Sequence, residues 1–150
     1  MCDTKAMKII SLVALCALIL LPGCASTPKT SGPPVVRELL TTGYCKCGIC
    51  CNWTHTTFLR RTVIKKGPQK GERKKVRKTA SGEMAKKGTI AADPSVYPFG
   101  TVMYIPGYGY GTVQDVGGAI KGQHIDLFFK SHEAATKWGK QQKQVQVWFP

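Results

Sequence analysis

Short stretches of alternating apolar and polar side chains, each closed by a glycine-rich turn, constrain this chain more than any other feature. His124 to Lys130 reads HIDLFFK. Successive side chains of a strand point to opposite faces, so Ile125, Leu127 and Phe129 share one face and His124, Asp126 and Phe128 the other. The first face is core material. The second suits a cleft floor, with Asp126 beside an aromatic wall. Strand patterns also run over Val35 to Tyr44, Thr89 to Asp93, Thr101 to Ile105, Gly111 to Asp115 and Val145 to Phe149, and Pro106 to Gly111 (PGYGYG) reads as a turn joining two of them. One short helix is expected after Ser131, which can cap it. Glu133 falls in its first turn, Ala134, Ala135 and Trp138 pack it down, and Gly139 ends it. Many short strands and one short helix near the C-terminus predict a mainly β fold, a small barrel.

The chain's 150 residues suit one domain. A hydrophobic fraction of 43% is too high for wholesale disorder. Only residues 9–21, IISLVALCALILL, are apolar enough to consider for a membrane, which excludes a polytopic membrane protein. Lys5 and Lys8 precede them, and the run has the length of a signal h-region rather than of a spanning helix. Leu21-Pro22-Gly23-Cys24 resembles a bacterial lipobox. Residues 1–23 are therefore expected to be a lipoprotein signal peptide, with Cys24 lipidated. The alternative, an uncleaved anchor, also places the rest of the chain outside the cytoplasm. Localisation is thus expected at the cell envelope, on the outer membrane if the host has one. Residues 24–36, with ASTPKTSGPP inside them, have linker composition, and residues 37–150 are expected to be the domain.

Outside the signal region the chain has three aspartates, Asp93, Asp115 and Asp126, each in or at the end of an expected strand. A solvated carboxylate normally sits in a turn or on a helix surface. Any one of the three alone reads best as a turn cap or a lysine partner; three together in a basic chain of net charge +14 point to chemistry.

The segments TASG (Thr79 to Gly82), GTIAADPSVYPFGT (Gly88 to Thr101), DVGGAIKG (Asp115 to Gly122) and HIDLFF (His124 to Phe129) resemble the three-aspartate, or 3D, domain. That family is related to the catalytic barrel of membrane-bound lytic transglycosylase A. The resemblance covers roughly Thr41 to Phe149. It implies a six-stranded double-psi β barrel that cleaves the glycan strands of peptidoglycan between MurNAc and GlcNAc. It also implies that Asp126 is the acid/base, with Asp93 and Asp115 as the other two aspartates and Thr79, Ser81 and Gly82 along the glycan groove. Gly117 and Gly118 allow close backbone approach to a ligand, and Lys121 and His124 are further candidates for substrate contact. The reaction so implied needs no cofactor and no metal. One group protonates the glycosidic oxygen and then takes the proton of the substrate's 6-hydroxyl, so that group must hold its proton above the ordinary aspartate range. Neighbouring carboxylates and an apolar wall raise a pKa in this way. The alternative reading is a glycan-binding or wall-loosening module of expansin type, which shares the architecture without catalysis.

Cys45, Cys47, Cys50 and Cys51 form C-x-C-x2-C-C. Zinc spacings are usually wider and come as two separated pairs. In an oxidising compartment two disulfides are the more natural expectation, and a metal or redox role is the other. Arg60 to Lys87 holds 12 of the 22 basic residues, opposed by Glu72 and Glu83, and reads as a long exposed loop or ribbon. Export removes most nucleic-acid partners, so anionic wall polymer, peptide-stem carboxylates and lipid headgroups are the fitting attractants, beside the bland reading of a solvated loop. His55, His124 and His132 show no metal spacing.

Overall fold

The computed structural model describes residues 30–150. The expected leader, Cys24 and the first residues of the linker lie outside them. Strand β1 (Val35–Tyr44) begins two residues before the expected domain start. It is followed by β2 (Trp53–His55), β3 (Thr62–Ile64), β4 (Thr89–Ala91), β5 (Val102–Ile105), β6 (Gly109–Asp115), β7 (His124–Phe128), helix α1 (His132–Trp138) and β8 (Gln141–Trp148).

Six of the strands close into a barrel in the order β1-β7-β4-β6-β5-β8, and β8 returns to β1. The β1–β7 and β4–β6 pairs are parallel and the remaining four antiparallel. The fold is thus the mainly β, six-stranded barrel with one short helix that the sequence predicts. Closure leaves the barrel itself no free sheet edge to template aggregation. The alternation read from HIDLFFK is realised: Ile125 and Leu127 are fully buried, and they pack with Leu39, Ile90, Met103, Val113 and Val145 in the barrel interior. Trimming one methylene there leaves a small void. Ile125→Val is expected to cost about 1 kcal/mol, read as a lower urea midpoint at unchanged slope.

Ser131 caps α1 as expected, its side chain accepting from the Ala134 N–H, and Gly139 closes the helix at φ 67°. The indole of Trp138 donates to the Thr41 hydroxyl at 3.2 Å and ties the helix to β1. Some strand boundaries differ from expectation: β6 starts at Gly109, inside the stretch read as a turn, and β4 ends at Ala91 rather than Asp93. β8 starts at Gln141, four residues early, because its polar first half still pairs with β1. The basic stretch is a ribbon: β3 pairs with β2, and bridges Val63–Arg73 and Lys78–Met84 fold the rest back on itself. That ribbon is separate from the barrel's strand order.

Candidate functional site

Register builds the site. Asp126 on β7 pairs with Thr42 on β1 and, on its other side, with Ala91 on β4. Ala91 in turn pairs with Asp115 on β6. The four residues form one row across adjacent strands, Thr42–Asp126–Ala91–Asp115. Strands two apart put the α-carbons of the two aspartates about 10 Å from each other, over a residue with almost no side chain.

A bulge makes this row possible. Ile90 pairs with Val113, but Ala91 pairs with Asp115 rather than Gln114. One extra residue on β6 therefore turns Asp115 onto the face that Asp126 occupies. Gln114 points elsewhere, its side-chain oxygen accepting from the Thr89 hydroxyl.

The two carboxylates are held differently. Asp115 Oδ1 accepts from the Ala80 and Val116 N–H groups at 3.0 and 2.9 Å, and Oδ2 from the Tyr44 hydroxyl at 3.1 Å. Three donors stabilise the ionised form. Asp126 Oδ1 accepts from one side chain, the Thr42 hydroxyl at 2.8 Å. The same oxygen of Thr42 lies 2.9 Å from His124 Nε2. Thr42 has a single hydrogen, so when that hydrogen goes to Asp126 the imidazole must donate to Thr42. Burial pushes the Asp126 carboxyl above the usual carboxylate range, and the Asp115 charge pushes the same way, against the lowering influence of Thr42 and His124. Burial also drives the Tyr44 phenol upward, with the Asp115 charge adding to it, so Tyr44 stays a donor.

A groove of about 270 Å³ opens over the row. Its floor includes Asp126, Asp115 and Ala91, and Tyr44 and Phe128 form an apolar wall, packed edge to face with centroids 5.4 Å apart. Gly117 and Gly118 line it too. A side chain at Gly117 would meet Ile120 Cγ1 at 2.5 Å, so only glycine lets this loop fold tightly beside Asp115. Cations line the groove as well: Lys46 from the cysteine loop and Lys74, Lys75, Arg77 and Lys78 from the ribbon. Arg77 is fixed by its own loop, donating from Nε and Nη2 to the Ala85 carbonyl at 3.3 and 3.0 Å.

The other sequence candidates have different places. Asp93 does not line the groove. Its Oδ1 accepts from the Ser95 N–H and hydroxyl, its Oδ2 from the Gly122 N–H, and its carbonyl closes the turn to Tyr97. The Ser95 hydroxyl, then the Gly122 amide, hold this carboxyl below the usual range. Asp93 is a turn cap that ties residues 93–97 to the loop between β6 and β7. In TASG, buried Thr79 donates to the Glu83 carbonyl and touches the Ser81 hydroxyl, and Gly82 donates to the Thr79 carbonyl. The turn so made hangs on β6 through Ser81 N–H to Gln114 and presents the Ala80 amide to Asp115. Lys121 and His124 face a neighbouring depression with Glu38, Gln123 and Gln142. Thr42 links the two hollows.

Residues that sequence reasoning missed are Thr42, Tyr44 and Lys46, while the basic stretch it singled out sends Lys74, Lys75, Arg77 and Lys78 to the groove. Parity along β1 could have placed Thr42 and Tyr44 on one face, but the parallel partner strand could not be read from the sequence.

The cysteines depart from the expected pair of disulfides. Cys45, Cys47, Cys50 and Cys51 are all thiols. Cys45 Sγ and Cys50 Sγ stand 3.8 Å apart, and Cys51 turns away to donate to the Cys45 carbonyl.

Residues 88–149 match the 3D domain family. The chain also resembles the cell wall-binding protein YocH of Bacillus subtilis (strain 168), 48% identical over 58 residues, which is 39% of this chain and 20% of YocH. YabE of the same organism, by its name a cell wall shaping protein, is 41% identical over 58 residues and is covered over 14% of its length. The chain thus spans a fifth or less of these relatives. Among solved structures it is similar to the lytic transglycosylase MltA from Escherichia coli, 30% identical with a TM-score of 0.40, over 47% of this chain and 26% of that one. MltA with bound chitohexaose gives 28% identity and a TM-score of 0.40, over 49% and 28%. The likeness to the 3D domain family thus falls on residues 88–149, which hold β4 to β8 and α1.

Proposed function

We propose that the domain cleaves peptidoglycan glycan strands as a lytic transglycosylase, with Asp126 as its only acid/base. The observation that carries this reading is the contrast between the two groove carboxylates: one saturated by three donors, the other raised by burial, both over one floor. That contrast is how one fold separates an acid from a permanent anion.

Thr42 holds Oδ1 of Asp126, and we assign its second oxygen to the glycosidic bond. Asp126 protonates the leaving 4-oxygen of GlcNAc as the bond from C1 of MurNAc breaks. The 6-hydroxyl oxygen of the same MurNAc then bonds to C1, and its proton returns to Asp126. No water is consumed, and the product is a 1,6-anhydromuramoyl end. Asp115 keeps the proton on Asp126 and faces the positive charge that develops at C1. The cations of the ribbon and Lys46 meet the peptide-stem carboxylates of the substrate, which gives the basic run a use at the groove. The site asks for no cofactor. Placement at the cell envelope agrees with the wall-associated names of the relatives, and a lipid on Cys24 would tether the domain there.

A second reading has an observation of its own: YocH is named for wall binding. On that reading the groove holds glycan without breaking it. The two separate when the full chain is incubated with purified sacculi and the soluble fraction is analysed by mass spectrometry. We expect muropeptides with anhydro ends, 18 Da lighter than their hydrolysed forms (one water, in keeping with the anhydro linkage of this mechanism), at about that spacing. Retention of the protein on sacculi with no soluble product would establish the binding module instead.

A further inference from the structure

We infer that Cys45, Cys47, Cys50 and His132 form a tetrahedral binding site for a thiophilic divalent metal, zinc by the chemistry of its donors. One ligand atom from each of the four residues lies within 4.8 Å of every other. Cys45 Sγ to Cys50 Sγ is 3.8 Å, His132 Nδ1 to Cys50 Sγ 3.4 Å, and His132 Nδ1 to Cys47 Sγ 3.6 Å. A regular tetrahedron with zinc–sulfur bonds of about 2.3 Å and zinc–nitrogen bonds of about 2.0 Å has edges near 3.8 Å between sulfurs and near 3.5 Å between sulfur and nitrogen. These three separations match those edges, and the other three lie within 4.8 Å. A disulfide would need sulfurs about 2.05 Å apart, roughly half the separation found.

The backbone around the sulfurs is arranged for thiolate ligands. The Cys47 N–H points at Cys45 Sγ (3.4 Å) and the Cys50 N–H at Cys47 Sγ (3.5 Å). The turn Cys47-Gly-Ile-Cys50 is closed by the Cys51 N–H to the Cys47 carbonyl, and Trp53 N–H bonds to Gly48 O. Gly48 is obligatory, since a Cβ there would lie 2.3 Å from the Trp53 carbonyl oxygen. Cys51, next in sequence, takes no part: its Sγ is committed to the Cys45 carbonyl at 3.0 Å. Three sulfurs and one ring nitrogen close the coordination shell, which is the pattern of a structural site rather than of a catalytic one with an open position.

The ligands come from two places. The sulfurs sit on the loop after β1, and His132 is the first residue of α1, more than 80 positions on. A bound metal therefore pins that loop to the barrel, and Lys46, between two ligands, is carried to the groove rim with it. The inference stands on the thiol cluster alone and does not depend on the reaction proposed above.

The test is metal analysis of the full chain, purified anaerobically under reducing conditions and loaded with zinc chloride alone. One zinc per chain is expected, retained in Cys51→Ser and lost in the Cys47→Ser/Cys50→Ser double variant. His132 is exposed, so His132→Ala guards against misfolding of the double variant. Because loss of outer-shell partners alone weakens metal sites about 10–100-fold, loss of this ligand should weaken zinc binding more than about a hundredfold. Cobalt(II) in place of zinc should show thiolate charge-transfer bands and the intense visible bands of a tetrahedral site, which intensify in His132→Cys. Zinc uptake indifferent to His132→Ala and to the double variant would overturn the assignment. So would a zinc-treated chain that takes up no metal and, under those same conditions, keeps a disulfide among Cys45, Cys47 and Cys50.

Discussion

Asp126→Asn is expected to lower the release of anhydromuropeptides from sacculi by about a thousandfold, within the 10²–10⁴ that a positioned acid/base contributes. Asparagine has the shape of aspartate and can keep the Thr42 contact, so binding to sacculi should change by only a few-fold. The loss then falls on the chemical step. Stability separates this result from unfolding. The folded state raises the carboxyl of Asp126, so between its ordinary and raised values the native protein holds more protons than the unfolded chain. In that window stability declines as pH rises. Asparagine removes this dependence, and the variant should be at least as stable as the parent at neutral pH. A variant within tenfold of the parental rate would show that the acid lies elsewhere.

Particular residues show how far a sequence reaches toward such a site. The period of two in HIDLFFK is enough to put Asp126 on the face opposite Ile125 and Leu127, because parity is a local property of a strand. It places His124 and Phe128 beside Asp126 for the same reason, and both are there. Asp115 shows where parity stops. Its side chain joins that face only through the extra residue opposite Ala91, and a bulge is chosen by the partner strand. Asp93 shows the opposite failure. Its neighbour Ser95 is an ordinary turn-capping partner two residues on, and the carboxylate takes that local bond and stays out of the groove. The helix from Ser131 to Gly139 is legible because caps are local signals. The thiol cluster is not, because its fourth member lies on that helix. Spacing within C-x-C-x2-C-C cannot reveal a ligand brought in by the barrel.

Asp115→Asn should lower glycan cleavage about tenfold at neutral pH, one decade of the two to four that acid–base catalysis supplies, and should move its pH profile. The sign follows from the charge. Asp115 raises the Asp126 carboxyl, so removing its charge lets Asp126 lose its proton at lower pH. The alkaline limb of kcat/KM, where the acid form is lost, must shift toward acid. Other groups face Asp126 and stay in place. His124 and Thr42 act on it directly, Tyr44 and Tyr108 adjoin it, and Cys51, Lys46, Lys74, Lys75, Arg77 and Lys78 ring the groove. These cations are unchanged by the substitution, so the movement of the limb reports removal of the Asp115 charge. Asparagine preserves the shape of the anchor: its oxygen can accept from the Ala80 and Val116 amides, and its amide can donate to the Tyr44 oxygen. A purely structural Asp115 would predict a uniform loss with the limb fixed, or a rise in KM alone. A fixed limb in Asp115→Asn, measured beside a limb that moves when Lys74 and Lys75 are replaced by glutamine, would assign the tuning of Asp126 to the ribbon instead.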